Sequence, residues 1–217
     1  MATVSHIVGK IIHERPLLQE AIIEGIVNFA NLAENIKEEV KKELKKEVKE
    51  SAIVMALRRH AEKLAVHHPK NFKIHSDIAL RSGLIDYTVQ KNTDLFEKLE
   101  RIQKIVDYSK GDTLNILHGN FETSIVISEK HKDKLAQILK GIPIIHFEEN
   151  LVSLTLNVSE KFMDTPGVLA QITRKLAWDN INIYELISTA TEINIIVSKD
   201  DAMRCYASLE EIMSKKY

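Results

Sequence analysis

The sequence predicts an α+β protein in which an all-helical segment precedes two related βαββαβ units. Three observations lead to this fold class. Apolar residues recur at helical spacing up to about residue 66, they alternate with polar residues along several later segments, and the order strand–helix–strand–strand–helix occurs twice after residue 84. The chain has 217 residues, 44% of them hydrophobic, which is enough for two or three small domains.

Within residues 1–66, proline and polar residues stand where helices are expected to begin. Pro16 fits the first turn of a helix, because that position needs no backbone N–H donor. Asn28 is suited to cap the helix that follows it, and Ser51 to cap a later one. These residues predict several consecutive helices.

The Lys- and Glu-rich run at 37–50 is predicted to be a solvated helix face. Apolar residues interrupt it at every fourth position, and its charges are spaced for i,i+4 ion pairs. Beyond it, Pro69 disfavours helix at the preceding residue, so residues 67–71 are predicted to form a linker.

In the first βαββαβ unit, alternation and turn residues indicate the strands. Ile85, Tyr87 and Val89 alternate with polar residues, which is typical of a strand with one buried face. A hairpin turn at 118–120 is predicted to join two further strands, and a fourth strand is predicted at 142–147.

The second unit repeats this order. Alternation predicts a strand at 152–158, which a helix follows, and two further strands at 181–187 and 192–198. A final helix ends near Met213. The unit has no fourth strand in its own segment.

Three short motifs of the second unit resemble those of the ACT domain family, and most closely the regulatory ACT pair of aspartokinases. They are Asp-Thr-Pro-Gly-Val-Leu at 164–169, Asn-Ile-Asn-Ile at 180–183 and Glu-Ile-Asn-Ile at 192–195, in the family's order and spacing. The resemblance covers about residues 72–217. It is weaker in the first unit, whose corresponding turn at 91–94 lacks the Pro-Gly pair.

The resemblance implies two ferredoxin-like ACT modules, one inserted in the other. The inserted module would comprise residues 84–148, and the other would combine residues 72–83 with residues 149–217. In this arrangement the segment that ends at Gly83 supplies the strand that the second unit lacks.

The same resemblance implies a small-molecule ligand, an amino acid by analogy with the family, and a homodimer formed through the modules. The ligand-binding residues implied are Asp164, Thr165, Pro166, Gly167, Val168, Asn182 and Ile183. The first turn of a helix can hold a carboxylate, and an aspartate can hold an ammonium group. The alternative is that Asp-Thr-Pro-Gly is only a helix cap and a turn.

The N-terminal segment resembles the winged-helix or helix-turn-helix segment of archaeal proteins in which it is fused to ACT modules. That likeness implies DNA contacts from Arg58, Arg59, His60 and Lys63. The charge balance argues against DNA, since residues 1–70 hold 12 basic and 10 acidic residues. The alternative is an ordinary helix surface in a dimerisation or partner-docking domain.

The sequence lacks the motifs that several classes of enzyme and metal-binding protein need. The seven glycines are scattered, so the sequence contains neither a phosphate-binding loop nor a dinucleotide fingerprint. No G-x-S-x-G or H-E-x-x-H motif occurs, and the single cysteine, Cys205, is predicted to be buried and structural. We therefore expect no enzyme activity, no metal and no cofactor.

These features predict a ligand-sensing regulator that passes a signal from its ACT modules to the helical segment, with transcription as the output. The alternative is a non-catalytic regulatory subunit, or a dimerisation module, for an enzyme of amino-acid biosynthesis. One cysteine and no apolar run approaching about 20 residues predict a cytoplasmic protein without membrane contact.

Overall fold

The computed structural model describes residues 3–67, 77–159, 162 and 164–214. The chain divides into two compact units, residues 1–70 and 71–217. Most of the predicted linker, residues 68–71, lies outside the described residues, and so do residues 72–76 of the predicted lead-in strand. Among the helices that the structure describes, none is long and apolar enough to cross a membrane.

The N-terminal unit contains four helices around one hydrophobic core. They are α1 (Val4–His13), α2 (Pro16–Ile23), α3 (Phe29–Leu44) and α4 (Glu50–His67). The predicted starts of two of them are confirmed. Pro16 opens α2, and the side chain of Asn28 accepts a hydrogen bond from the Ala30 amide at 2.9 Å.

The prediction that Ser51 caps a helix is wrong. Helix α4 already begins at Glu50, so Ser51 lies inside its first turn. Glu50 is held there by an ion pair with Lys37 of α3 at 2.7 Å. The charged run therefore does not form one helix: α3 ends at Leu44, and Lys45 adopts a left-handed conformation that reverses the chain.

The second unit is a six-stranded antiparallel sheet with four helices. The strands, ordered β2-β3-β1-β4-β6-β5, are β1 (Ile78–Gln90), β2 (Leu114–His118), β3 (Glu122–Ser128), β4 (Ile144–Asn157), β5 (Glu185–Ser188) and β6 (Glu192–Ser198). The helices are α5 (Thr93–Lys104), α6 (Lys132–Ile138), α7 (Val168–Trp178) and α8 (Ala202–Ser214).

Strands β1 and β4 are long because each combines two strands that were predicted as separate elements from the sequence. Ile78–Arg81 of β1 pairs with 153–156 of β4, whereas 84–90 pairs with β3 and with the first half of β4. Gly83 (φ 71°) and Asn150 (φ 58°) are left-handed at the point where the two halves of each strand meet. The part of β1 that precedes Gly83, residues 78–81, therefore lies beside the later half of β4.

The two halves of the sheet bend toward each other at this point. Leu84 and Val126 from one half share an apolar cluster with Leu151 and Ile196. Glu185 on β5 interacts with Ser124 on β3, although four strand spacings of about 4.8 Å would keep them roughly 19 Å apart in a flat sheet. Helices α5 and α6 pack on one half, and α7 and α8 on the other.

The predicted strand 181–187 is shorter in the structure, because its first four residues form the connection from α7. The amide of Ile181 donates to Leu176 O at 2.9 Å, and the Ile181 side chain is only 6% exposed. This backbone hydrogen bond closes the last turn of α7, so strand pairing begins only at Glu185.

Candidate functional site

The turn before α7 is held by glycine and by the backbone. Gly167 precedes the first residue of α7 with φ 90°, which side chains rarely adopt, and an added Cβ would meet nothing within 4 Å. The Thr165 amide donates to Phe162 O at 3.1 Å, and Val168 is buried. Asp164, Pro166 and Gly167 are exposed, so the turn faces solvent.

The corresponding turn of the first half differs in how its helix is capped. Asn92 caps α5, since its side chain accepts from the Leu95 amide at 2.9 Å. Gly167, the N-cap residue of α7, carries no side chain that could form such a bond. The two turns therefore differ in their N-cap residue, which is asparagine before α5 and glycine before α7.

The structure does not bring all the predicted ligand-binding residues together within one chain. Asp164 to Val168 lie at the start of α7, whereas Asn182 and Ile183 follow its end. The helix has 11 residues and is therefore roughly 16 Å long. Within one chain, the two groups therefore lie at opposite ends of α7.

Asn182 lines a cavity of about 530 Å³ at the far end of α7. The other residues around it are Ala177, Asn180, Ile181, Asp201 and Arg204. They come from the end of α7, from the connection to β5 and from the start of α8. The cavity therefore lies between the C-terminus of one helix and the N-terminus of another.

Arg204 organises the floor of this cavity. Its Nη2 donates to Asp179 O at 2.6 Å and to Asn180 O at 3.0 Å, which satisfies carbonyl groups at the end of α7. Its Nη1 lies 3.3 Å from an oxygen of Asp201. Asp179 is itself fixed, because it accepts a 2.5 Å hydrogen bond from Ser208 and pairs with Lys175.

On α4, the four residues predicted to contact DNA have different surroundings. Arg58, Arg59 and Lys63 are exposed. His60 is less accessible, because its ring packs against α1 at Gly9 and its Nε2 is buried with no hydrogen-bond partner among the described residues. Burial, followed by the charges of Lys63 and His13, lowers the pKa of His60.

Two titratable groups on the inner face of the bent sheet were not expected from the sequence. Asp86 is only 4% exposed and accepts a 2.8 Å hydrogen bond from Ser124. Burial raises the pKa values of both Asp86 and Glu185, and the charge of Asp86 raises that of Glu185 further. Asp86 occupies a polar position of the alternating pattern, so the pattern placed it on an exposed face.

The cysteine and the metal-ligating side chains of the described residues have the following surroundings. Cys205 is fully buried, and desolvation raises the pKa of its thiol to about 12, so it is a poor nucleophile. Among residues 3–67, 77–159, 162 and 164–214, no group of three or more His, Cys, Asp or Glu side chains is arranged to hold a metal ion.

A family model described as the ACT domain matches residues 146–211, from β4 to α8. No curated protein matches the sequence well enough to count as a relative. The matched residues therefore comprise the second half of the sheet and the two helices α7 and α8.

Solved structures show the same fold over about two thirds of the chain. The aspartate kinase of Clostridium acetobutylicum is 17% identical with a TM-score of 0.55, and the match covers 69% of this chain and 37% of the kinase. The regulatory subunit of aspartate kinase from Thermus thermophilus, in its ligand-free form, is 11% identical with a TM-score of 0.55. That match covers 66% of this chain and 100% of the subunit.

E. coli aspartokinase III, in complex with aspartate and ADP, is 15% identical with a TM-score of 0.50, and the match covers 64% of this chain and 33% of the enzyme. The chain thus spans about a third of the full-length kinases it matches and the whole of the regulatory subunit. Residues 146–211 thus match an ACT domain model, and about two thirds of the chain shares its fold with an aspartate kinase regulatory subunit.

Proposed function

We propose that this chain is a non-catalytic regulatory protein that binds an amino acid at its ACT domain and passes the signal to its N-terminal helices. The ACT match at residues 146–211 carries the proposal, because such domains commonly bind small ligands such as amino acids. The match to a regulatory subunit over its full length supports it.

The proposal includes two nested ACT modules, residues 84–148 and residues 72–83 with 149–217. The strand pairing supports this division. The first half of the sheet has the order β4-β1-β3-β2 and the second half β1-β4-β6-β5, so each half has its own four-strand arrangement. Since β1 and β4 run through both halves, a displacement in one half can be transmitted to the other.

The proposal also includes a homodimer. The predicted ligand-binding residues lie in two groups at opposite ends of α7, so a second copy is the simplest way to place Asp164 of one chain near Asn182 of another. Strands β2 and β5 are at the edges of the sheet and offer unpaired backbone groups to such a partner. Light scattering with and without ligand tests this part of the proposal.

A thermal-shift screen against the common amino acids tests ligand binding. A ligand that binds only the folded protein stabilises it by about 2.7 kcal/mol at a hundredfold excess over Kd. One strong stabilising amino acid is the expected result. If none of them raises the melting temperature at millimolar concentration, amino-acid sensing is wrong and the modules serve assembly alone.

The helical unit has two candidate functions, contact with a partner enzyme and DNA binding. Contact with an enzyme of amino-acid biosynthesis is favoured by the likeness to a regulatory subunit and by ion pairs that neutralise basic side chains of the unit, such as Arg15–Glu39 at 2.6 Å. Transcription regulation through a helix-turn-helix is favoured only by the exposed Arg58, Arg59 and Lys63 on α4.

Retention on duplex DNA of mixed sequence at low salt separates these outputs. A DNA-binding protein is retained and elutes as salt rises, because bound phosphates release counterions. If Arg58→Ala/Arg59→Ala abolishes retention while Lys45→Ala/Lys46→Ala does not, α4 is the DNA-binding helix. No retention of the unmodified protein rejects the DNA output and leaves the protein-partner output.

A further inference from the structure

We infer that the two halves of the bent sheet form a proton-sensitive clamp, which closes when Asp86 and Glu185 are protonated and opens when they ionise. One half contains β2 and β3, the other contains β5 and β6, and β1 and β4 run through both. The inference concerns the contact between these halves, and it does not depend on a ligand.

The face of the sheet that carries no helix is buried. Asp86, Ser124 and Ser153 on this face are only 4%, 7% and 1% exposed. Strand residues alternate between the two faces, so a flat sheet with helices on one side would leave these side chains in solvent. Their burial therefore comes from contact between the two halves. The buried apolar residues on the same face are at most 1% exposed, namely Leu84, Val126, Leu151 and Ile196.

The contact between the halves has little apolar surface. Among the described residues, four buried apolar residues form its cluster, whereas the two cores under the helices have 12 and 15 buried residues. Polar pairs complete this face, with Ser124 donating to Asp86 at 2.8 Å and Ser153 to Asn194 at 2.6 Å. Because polar groups regain hydrogen bonds to water when they are exposed, opening this contact costs less than opening either core.

The hinge of the clamp lies where β1 and β4 change partners. Gly83 (φ 71°) and Asn150 (φ 58°) are left-handed there, and both are exposed. The pairing of β1 with β4 is irregular between Arg81 and Leu84, so the ladder is already interrupted at this point. Hinges absorb large backbone changes at a few such positions. Each half can therefore rotate as a unit and keep its own strand pairs and helices.

The charges around the contact oppose closure when the acids ionise. Asp86 and Glu185 come from opposite halves and repel each other, and Glu122 on β3 adds to the repulsion of Glu185. A positive charge on His146 of β4 acts in the opposite sense and favours ionised Asp86. Glu148, which lies opposite Asp86 in the β1–β4 ladder, competes for that charge, because it is 3.7 Å from His146 Nε2.

The direction of the pH effect follows from burial. In the closed form, burial raises the pKa values of Asp86 and Glu185 above their ordinary values of 3.8 and 4.5. Opening returns both carboxyl groups to water and releases protons. The ratio of open to closed protein therefore rises with pH, by up to about tenfold per pH unit for each proton released.

Electron–electron double resonance between two spin labels on the full chain tests the clamp. Asn120→Cys/Ala190→Cys places one label at the exposed hairpin turn of each half. Cys205 is fully buried and the pKa of its thiol is raised to about 12, so it is not labelled. We expect a second, longer distance whose share grows at least roughly threefold between pH 5 and pH 8, because opening moves β2 and β3 away from β5 and β6.

Variants of the labelled protein identify the acids responsible. Asp86→Asn removes one charge and retains an acceptor for Ser124, and Glu185→Gln removes the charge from the other half. Each should stay mostly closed at pH 8. Asp200→Asn, the same change at an exposed position, is the matched control and should open as the unmodified protein does. Circular dichroism at 222 nm shows whether each variant is folded, and if one is not, the other decides.

Two results would overturn the clamp. One is a distance distribution that does not change between pH 5 and pH 8. The other is a pH response that either folded variant retains in full, because groups other than the two acids would then cause the movement. Neither measurement uses an amino acid, so failure of the clamp leaves the proposed function to its own thermal-shift test.

Discussion

Glu185 on β5 interacts with Asp86 on β1, although β4 and β6 lie between these strands in the sheet. The bend at Gly83 and Asn150 brings the two carboxylates to the same inner face. Ser124 donates a hydrogen bond to Asp86 at 2.8 Å, and it lies close enough to Glu185 to oppose the rise in the pKa of that acid. Burial disfavours their charged forms and raises both pKa values.

These two carboxylates should make the second unit less stable as the pH rises. The folded-state pKa of each is above its ordinary value, 3.8 for Asp86 and 4.5 for Glu185. Their contribution to stability is therefore complete below about pH 4 and is lost as the pH rises through the folded-state values. Other carboxylates act in the opposite sense, so the informative quantity is the difference between the protein and a variant.

Asp86→Asn removes one of the two acids and retains an acceptor for Ser124. We expect a higher urea midpoint than that of the unmodified protein at pH 7, and a smaller difference at pH 4, because protonation of the buried carboxyl increases as the pH falls. Circular dichroism at 222 nm follows the unfolding. Asp200→Asn is the exposed control, and an equal gain from it would contradict the role of burial.

His60 should titrate below 6.5, the ordinary pKa of a histidine. Its pKa is lowered by burial first and then by Lys63 and His13. A lowered folded-state pKa stabilises the helical unit above about pH 6.5, and this contribution is lost as the pH falls through the folded-state value. An NMR titration of the histidine Cε1–H signals, with His60→Gln for assignment, measures it. A pKa of 6.5 or above for His60 would show that its ring is solvated.

Gly167→Ala should destabilise the protein by about 1–2 kcal/mol, because alanine disfavours the left-handed backbone at φ 90°. Asn tolerates this conformation, so Gly167→Asn should cost less. The measurement is the free energy of unfolding from urea denaturation. The space around the added carbon is open, so a cost of several kcal/mol for alanine would mean that the turn is more tightly packed than it is in the structure.

Asn28→Ala should lower the stability of the helical unit by about 1 kcal/mol, because the Ala30 and Asn31 amides lose the side-chain oxygen that caps α3. Asn31→Ala is the matched control, since Asn31 is exposed inside the helix and alanine is the better helix former there. Circular dichroism at 222 nm follows the helices. Equal effects of the two substitutions would rule out the cap as the cause.

The local pattern of the sequence predicted most helices and strands of the structure. Pro16 and Asn28 begin helices where expected, and the hairpin turn at 118–120 joins β2 to β3. The motif at 164–169 identified the ACT resemblance that the family model matches independently. Each of these features depends on residues close together in sequence, so periodicity and capping chemistry are sufficient to predict it.

By itself, the sequence determined the α+β class, the N-terminal helices, the repeated strand and helix order and the turn before the helix that follows Gly167. The tertiary structure alone decided which polar residues are buried and which candidate residues are neighbours. Asp86 looked exposed because alternation reports only the two faces of its own strand, whereas its burial comes from the bend that brings in β5. The length of α7 separates Asp164 from Asn182 in the same way, since distances between elements depend on packing and not on local spacing.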